Sequence, residues 1–186
     1  MADSSSSRIY TKTGDAGDTG LFDGTRVRKS DPRVDAYGDV DELSASLGVA
    51  RAQLTGEVDL IGPIDGIQRT LFAVGARLAD PRHRISGRVD KAALEDRHVQ
   101  ALEAHIDRLE SEVPPLRRFI LAGGSAAGAS LHLARAVCRR AERRVVGLGP
   151  DAVDPVVVTY LNRLSDLLFV MARVANARAG VTETEW

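Results

Sequence analysis

The sequence has 186 residues, of which 44% are hydrophobic and 27% are charged, a balance typical of one ordinary globular domain. Its 25 Lys and Arg residues nearly cancel its 26 Asp and Glu residues, so the overall charge gives no reason to expect nucleic acid or an anionic membrane as a partner. The single cysteine excludes an internal disulfide, and the first residues, MADSSSS, lack the features of a secretory signal, so we expect a cytoplasmic protein.

The first part of the chain does not have the pattern of a helix. Residues 1–8 are small and Ser-rich, and we expect them to be a disordered tail that precedes a single domain over residues 9–186. The segment from Ile9 to about Pro32 is dense in Gly, Asp and Thr, which favours turns. No segment shows the alternation typical of a strand, and no apolar run approaches the roughly 20 residues of a membrane-spanning helix.

Five helical segments are predicted from apolar residues spaced three and four apart. They extend over about residues 35–54, 58–79, 90–113, from the glycine-rich passage at 119–130 to residue 146, and 156–179. Amphipathic helices with short connections predict an all-α fold, a five-helix bundle with a four-helix up-down core plus one helix.

The fourth predicted helix divides into an apolar sector and a cationic sector. The residues expected to be buried are Leu131, Ala134, Val137, Cys138, Ala141 and Val145. Arg135, Arg139 and Arg143 follow one another at i,i+4 beside His132, with Glu142 at the edge. Such a row is either a solvated basic face, the commoner case for a charge run, or a clamp for a polyphosphate.

Other polar residues leave similar alternatives open. Asn162, Asp166 and Arg173 share one strip of an otherwise apolar fifth helix, and they belong either to an inter-helix network or to a ligand site. The loop TKTGDAGDTG at 11–20 is either a plain turn or an anion-binding nest. Residues 123–130 have the spacing of a Walker A loop but lack its lysine, so we exclude a P-loop.

Signatures of metal sites and nucleophiles are poor. Glu95 and His98 form a single Glu-x-x-His, whereas a di-iron bundle needs two copies and further glutamates. Cys138 lies in the apolar sector and is interpreted as a small buried hydrophobe. We therefore predict no metal-ligating side chains.

Five motifs in this order resemble the PduO-type ATP:cob(I)alamin adenosyltransferases, and the resemblance extends from Ile9 to Ala179. They are IYTKTGDAG at 9–17, DPRVDAYGDVDEL at 31–43, FILAGGS at 119–125, RAVCRRAERR at 135–144 and LNRLSD at 161–166. The resemblance implies a glycine-rich ATP-binding loop at the N-terminus and a homotrimer with active sites between subunits. It also implies transfer of the 5'-deoxyadenosyl group of ATP to the Co(I) of cobalamin, with Mg²⁺ accompanying ATP.

The resemblance also implies residue roles. For ATP it implies contacts by Thr11, Lys12, Thr13, Gly14, Thr19, Gly20, Lys29, Arg139, Arg140, Glu142, Arg143 and Asn162. Asp41 resembles the partner of Arg135 across a subunit interface, and Phe119 resembles an aromatic that faces the corrin; with Arg139 these are the expected catalytic residues. Ala122 departs from the usual proline of its motif, and the sequence ARVAN at 172–176 departs from a usual aromatic.

Two other functions remain open from the sequence. A corrinoid carrier would bind adenosylcobalamin and hand it to a mutase without forming it, and a purely structural bundle would bind no nucleotide. A carrier has no need for an ATP clamp, so the arginine row and the TKTGD loop favour an enzyme. A reductase that supplies Co(I) and an adenosylcobalamin-dependent mutase are the expected protein partners.

Overall fold

The structure, a computed structural model, describes residues 9–82, 84–85 and 89–186. The tail predicted over residues 1–8 lies outside the described residues, as do His83 and residues 86–88 of the basic loop before the third helix.

Five α-helices form most of the described chain and confirm the predicted bundle. They are α1 (Pro32–Gln53), α2 (Val58–Leu78), α3 (Asp96–Glu110), α4 (Ala126–Val146) and α5 (Pro155–Arg178). Helix α1 packs against α2 and α4, α4 also packs against α5, and α3 packs against α5. Helix α4 therefore lies between α1 and α5, with α2 packed on α1 and α3 packed on α5.

Side-chain caps fix where the helices begin. The Asp31 carboxylate accepts a hydrogen bond from the backbone N–H of Arg33 at 2.8 Å, and Pro32 occupies the first helical position. Helix α1 thus begins three residues before the predicted position, because proline at this position loses no helical hydrogen bond. Asp154 caps α5 in the same way, with 3.1 Å between its carboxylate and the N–H of Val156.

The predicted start of the third helix at Asp90 is wrong. Asp90 begins only a short 3₁₀ turn, Asp90–Ala92, and α3 follows from Asp96. The backbone N–H of Glu95 donates to Nδ1 of His98 at 3.0 Å. The Glu-x-x-His sequence is thus part of a helix cap, in which a side chain satisfies a backbone donor at the helix end.

The expectation that the chain has no strand is also wrong. A two-stranded antiparallel hairpin precedes α1 and consists of β1 (Asp18–Gly20) and β2 (Arg26–Arg28). The strands reverse direction at Gly24, whose φ of +88° is readily adopted only by glycine. Strands of three residues are too short to show a sequence alternation, so the glycine and aspartate content was the only visible signal.

Helix α5 is the central helix of the bundle. Its buried residues occur on all sides, and Tyr160, Leu161, Leu164 and Leu167 are among the largest fully buried side chains. By length and composition α5 also satisfies the criterion for a membrane span, with a mean hydropathy of 1.3 over its most apolar window. Because 56% of that window is buried inside the bundle, its apolar character is explained by core packing.

A charge cluster joins three helices at one end of the bundle. The Arg178 guanidinium of α5 donates to Asp59 of α2 at 2.8 Å and to Glu112, just after α3, at 2.8 Å, and Arg108 of α3 also contacts Asp59. The hydrogen bonds from Arg178 hold the pKa of Asp59 well below its usual value. This cluster ties α2, α3 and α5 together at the end of α5 that precedes the C-terminal residues.

Candidate functional site

Helix α4 has a buried face and a cationic face. Ser125 caps its N-terminus, and the Ser125 hydroxyl oxygen accepts a hydrogen bond from the backbone N–H of Gly128 at 3.0 Å. The predicted apolar sector is buried, and it consists of Leu131, Ala134, Val137, Cys138, Ala141 and Val145. Because these side chains hold one side of α4 in the core, the opposite side faces outwards.

The arginine row, which we define as Arg135, Arg139 and Arg143, lies on this outer side. Arg139 and Arg143 are exposed, and neither forms an ion pair with a residue that the structure describes. Arg135 is half-buried, and its guanidinium lies 5.1 Å from the centre of the Phe169 ring. Like charges one turn apart repel each other, so a row without carboxylates favours an anionic ligand.

Glu142 and Asn162 form a polar link between α4 and α5 at the edge of the arginine row. The side-chain amide of Asn162 donates to the Glu142 carboxylate at 3.1 Å. Asn162 is exposed and Glu142 is half-buried, so the pair is accessible from the same side as Arg139. The structure thus brings four of the predicted ATP-binding residues onto one surface, namely Arg139, Arg143, Glu142 and Asn162.

Arg140 takes a different direction from its neighbours. It forms ion pairs with Asp39, at 3.3 Å, and with Glu42, both on α1. The hydrogen bond that the Arg140 guanidinium donates to Glu42 is the main reason that the pKa of Arg140 lies above its usual value. Within one chain Arg140 therefore ties α4 to α1, and it does not share the surface of the arginine row.

The predicted ATP-binding residues of the N-terminal segment gather around the hairpin. The hydroxyls of Thr11 and Thr13 are 2.9 Å apart, and Lys12 has a φ of +59°, in the left-handed region. Gly14 packs against Lys29 so closely that a Cβ at Gly14 would lie 3.2 Å from Nζ of Lys29. Hydroxyls, an ammonium group and glycine backbone thus lie together, as a nest for an anion requires.

Thr19 and Gly20, the other two predicted residues, lie in β1 opposite Val27 and Arg26 of β2. The hairpin is attached to the end of α2, where the backbone N–H of Phe22 donates to the carbonyl of Ala79 at 2.9 Å. No hydrogen bond or ion pair between the described residues joins the hairpin to the arginine row. One chain therefore presents the two predicted phosphate-binding elements separately.

Phe119 lies at the start of the connection to α4. We call residues 119–125 the Phe119 loop. The Phe119 side chain is 80% exposed, which is unusual for a large aromatic and typical of a residue that contacts a ligand or partner. Asp41, the predicted partner of Arg135, is exposed on α1, and no hydrogen bond or ion pair joins these two described residues in the same chain.

Sequence reasoning missed Asn176, which fixes the Phe119 loop. Asn176 is 2% exposed. Its side-chain carbonyl oxygen accepts a hydrogen bond from the backbone N–H of Ser125 at 2.9 Å, and its side-chain NH₂ donates to the backbone carbonyl of Gly123 at 2.9 Å. A Cβ at Gly124 or at Gly128 would collide with the Asn176 side chain. The available signal was an amide in an apolar helix together with two glycines in the facing segment.

The remaining strip residues of α5 have structural partners. Asp166 accepts a hydrogen bond from Arg163 at 3.1 Å, one turn earlier. Arg173 is buried and pairs with Glu183 at 2.7 Å. Both therefore belong to networks within the chain, one of the two interpretations left open by the sequence.

The titratable groups near α4 do not form a nucleophile and base pair. Cys138 is buried, its thiol donates to the Leu161 carbonyl at 3.3 Å, and burial raises the pKa of the thiol to about 12. His132 is also buried, next to Phe169 at a ring distance of 5.9 Å, and burial lowers its pKa. A thiol that stays protonated and an imidazole without access to solvent are unsuited to nucleophilic catalysis.

A large groove lies elsewhere in the described part of the chain. It has a volume of about 1100 Å³ between α2 and the 3₁₀ turn, and Phe72, Arg69, Lys91 and Arg97 line it. None of the predicted site residues belongs to this groove. The arginine row lies outside this groove, on an open surface of α4.

Comparisons with known proteins agree with this geometry. The sequence profile of the family described as cobalamin adenosyltransferase matches residues 9–175. The corrinoid adenosyltransferase of Bacillus subtilis is 44% identical, over 96% of this chain and 92% of the relative. This chain belongs to the cobalamin adenosyltransferase family.

Solved structures support the assignment. A variant of the PduO-type ATP:corrinoid adenosyltransferase from Lactobacillus reuteri, complexed with cobalamin and ATP, superposes with a TM-score of 0.87 at 36% identity, covering 96% of this chain and 99% of that chain. The corrinoid adenosyltransferase of Mycobacterium tuberculosis is 42% identical over 91% of this chain and 89% of the relative. The residues that match the family profile include the hairpin, the Phe119 loop and the arginine row. Asn176 and the C-terminal residues lie beyond the end of the match at residue 175.

Proposed function

We propose that this protein transfers the 5'-deoxyadenosyl group of ATP to the Co(I) of cobalamin and releases triphosphate. The observation that carries the proposal is the arginine row, whose two exposed members have no carboxylate partner among the described residues. The chain that carries this row belongs to the cobalamin adenosyltransferase family. The complex of the Lactobacillus reuteri relative with cobalamin and ATP supports the choice of both substrates.

In this reaction the cobalt is itself the nucleophile. The electron pair of Co(I) forms a bond to C5' of ATP, the bond between C5' and oxygen breaks, and its electron pair leaves on triphosphate. No protein base is required, which agrees with the protonated thiol of Cys138 and the buried imidazole of His132. The protein contributes by positioning the substrates and stabilising the charge of the leaving group.

The arginine row provides that charge stabilisation. A guanidinium remains positively charged and forms paired hydrogen bonds with phosphate oxygens. Arg139 and Arg143 are exposed one turn apart, a spacing of about 6 Å along the helix, which matches an extended chain of phosphates. Asn162 and Glu142 contact the nucleotide at the edge of the row, and the Thr11, Lys12, Thr13 and Gly14 nest holds further phosphate oxygens.

Mg²⁺ accompanies ATP in this proposal. The described residues contain no group of three His, Cys, Asp or Glu side chains that would form a metal site. Mg²⁺ is commonly held by one or two carboxylates together with substrate phosphates and water. In keeping with the prediction of no metal-ligating side chains, the phosphates and water would hold the ion, whose charge offsets that of the triphosphate.

The active site is completed by a second subunit. Among the described residues of one chain, no hydrogen bond or ion pair joins the hairpin to the arginine row, and none joins Asp41 to Arg135. A homotrimer in which the hairpin of one subunit faces α4 of the next would unite them and would give Arg135 a carboxylate partner. We further place the protein in the cytoplasm, where a reductase supplies Co(I) and an adenosylcobalamin-dependent mutase accepts the product.

The proposed function is tested by mixing the purified protein anaerobically with MgATP and chemically reduced cob(I)alamin. We expect an absorbance change that reports adenosylcobalamin, with one triphosphate released for each product. Tight cobalamin binding without product would indicate a carrier instead. Absence of binding to either substrate would contradict both functions and favour a structural bundle.

Replacing Phe119 by alanine tests its role at the corrin. Apolar bulk beside the cobalt disfavours a lower axial ligand, and the resulting four-coordinate Co(II) is more easily reduced. Turnover measured from cob(II)alamin and a chemical reductant should therefore fall by about tenfold or more, ~1.4 kcal/mol, while ATP affinity is retained. The matched control is Phe72→Ala, which removes an equally exposed phenylalanine from α2. Equal losses of turnover and ATP affinity would contradict this role.

Replacing Asp41 by asparagine tests the subunit interface. Removal of one partner leaves Arg135 with an unpaired charge at an interface, so the trimer should dissociate at a higher protein concentration than the wild type. Sedimentation velocity over a dilution series measures the trimer fraction. Asp107→Asn on the exposed face of α3 is the control, and identical dissociation of both variants would exclude the pair.

A further inference from the structure

The Phe119 loop is anchored at one end by α5 and at the other end by the residues that follow α5. At the end next to α4, Asn176 binds the backbone of Gly123 and Ser125. At the other end, the loop pairs with residues 181–186, which we call the C-terminal tail. The backbone N–H of Leu121 donates to the Thr184 carbonyl at 2.8 Å, and that of Trp186 donates to the Phe119 carbonyl at 2.9 Å.

The tail is fixed in turn by Arg173. Its guanidinium donates to both carboxylate oxygens of Glu183, at 2.7 Å and 3.1 Å, and to the carbonyl of Pro114 at 2.8 Å. One side chain of α5 thus holds the tail and the segment that leads into the Phe119 loop. Arg173 and Asn176 are three residues apart, so they project from the same side of the helix.

Among the side-chain contacts of the tail, the pair with Arg173 is the strong one. Arg173 is 5% exposed, and a buried charge that loses its partner is strongly destabilising unless it regains water. The other ion pair of the tail joins Arg118 to Glu185 at 3.1 Å, with side chains 70% and 57% exposed, and exposed pairs contribute little. Without the Glu183 carboxylate, the buried charge of Arg173 has no partner. Release of the tail is the easiest way to lower this cost, because it lets water reach Arg173.

We propose that Arg173 and Glu183 form a latch that holds the tail against the Phe119 loop and thereby positions Phe119 for the reaction. They are positioning residues, since they act through the backbone of Phe119 and Leu121. The proposal rests on the proposed function in so far as Phe119 faces the corrin. It predicts that an ion pair within the chain controls turnover without contacting either substrate.

The test compares Glu183→Ala with Glu185→Ala, which removes the neighbouring exposed carboxylate of the same tail. Small displacements of a group that acts on the reacting centre reduce rates strongly. We therefore expect Glu183→Ala to lower turnover from cob(II)alamin and a chemical reductant by about tenfold, with the KM for ATP unchanged, and Glu185→Ala to resemble the wild type. The share of bound cob(II)alamin in the four-coordinate state, read from its absorbance, should fall in parallel with turnover.

A second readout does not depend on activity. Trp186 is the only tryptophan in the sequence and is the last residue of the tail, so its fluorescence anisotropy reports whether the tail is held. In Glu183→Ala, and not in Glu185→Ala, we expect faster depolarisation of the Trp186 fluorescence and faster hydrogen exchange at the backbone amide of Leu121. A chain that ends after Val181 leaves Arg173 open to water, and it should reproduce the loss of turnover even if Glu183→Ala folds poorly.

Several results would overturn the latch. They are equal turnover of Glu183→Ala and Glu185→Ala, full turnover of the shortened chain, or a tail that stays immobile in Glu183→Ala. A mobile tail with unchanged turnover would also overturn it. If the wild type itself forms no adenosylcobalamin, the proposed function fails, and the anisotropy measurement still decides whether the ion pair holds the tail.

Discussion

Two requirements on α4 shape this protein. One side of the helix must be apolar enough to fill the space between α1 and α5, and the other must present arginines without neutralising them. The core side is satisfied by small and branched residues such as Ala134, Ala141 and Val145, which are fully buried. Like charges along the other side weaken an isolated helix, so tertiary packing has to hold the arginine row in register.

Helix α5 complements α4 from inside the bundle. It packs against α4 along the apolar face and carries two buried polar side chains, Arg173 and Asn176. Both are satisfied by segments outside the helices, namely the C-terminal tail and the Phe119 loop. A buried polar group that lacks partners is costly, so these two residues oblige the irregular segments to adopt one arrangement. The rigid bundle thereby positions a loop that contains few apolar anchors of its own.

The helices were predictable because their apolar spacing is regular over many turns, as in α2 and α5. The hairpin was missed because strands of three residues show no period. The start of α3 was misplaced because Asp90 begins a short 3₁₀ turn, whereas Glu95 is the residue that precedes α3. The arginine row was visible as a pattern, whereas its separation from Arg140 depends on carboxylates of α1 that are about 100 residues distant in sequence. Asn176 and Glu183 were missed for the same reason, since their partners are brought to them only by the fold.

The central claim is that the arginine row binds the phosphates of ATP. A crystal structure of the protein with MgATP tests this claim most directly. The account predicts triphosphate oxygens within about 3 Å of the Arg139 and Arg143 guanidinium groups, with the hairpin of a neighbouring subunit closing over them. ATP bound instead in the groove beside Phe72 and Lys91, with the arginine row free of phosphate, would contradict it.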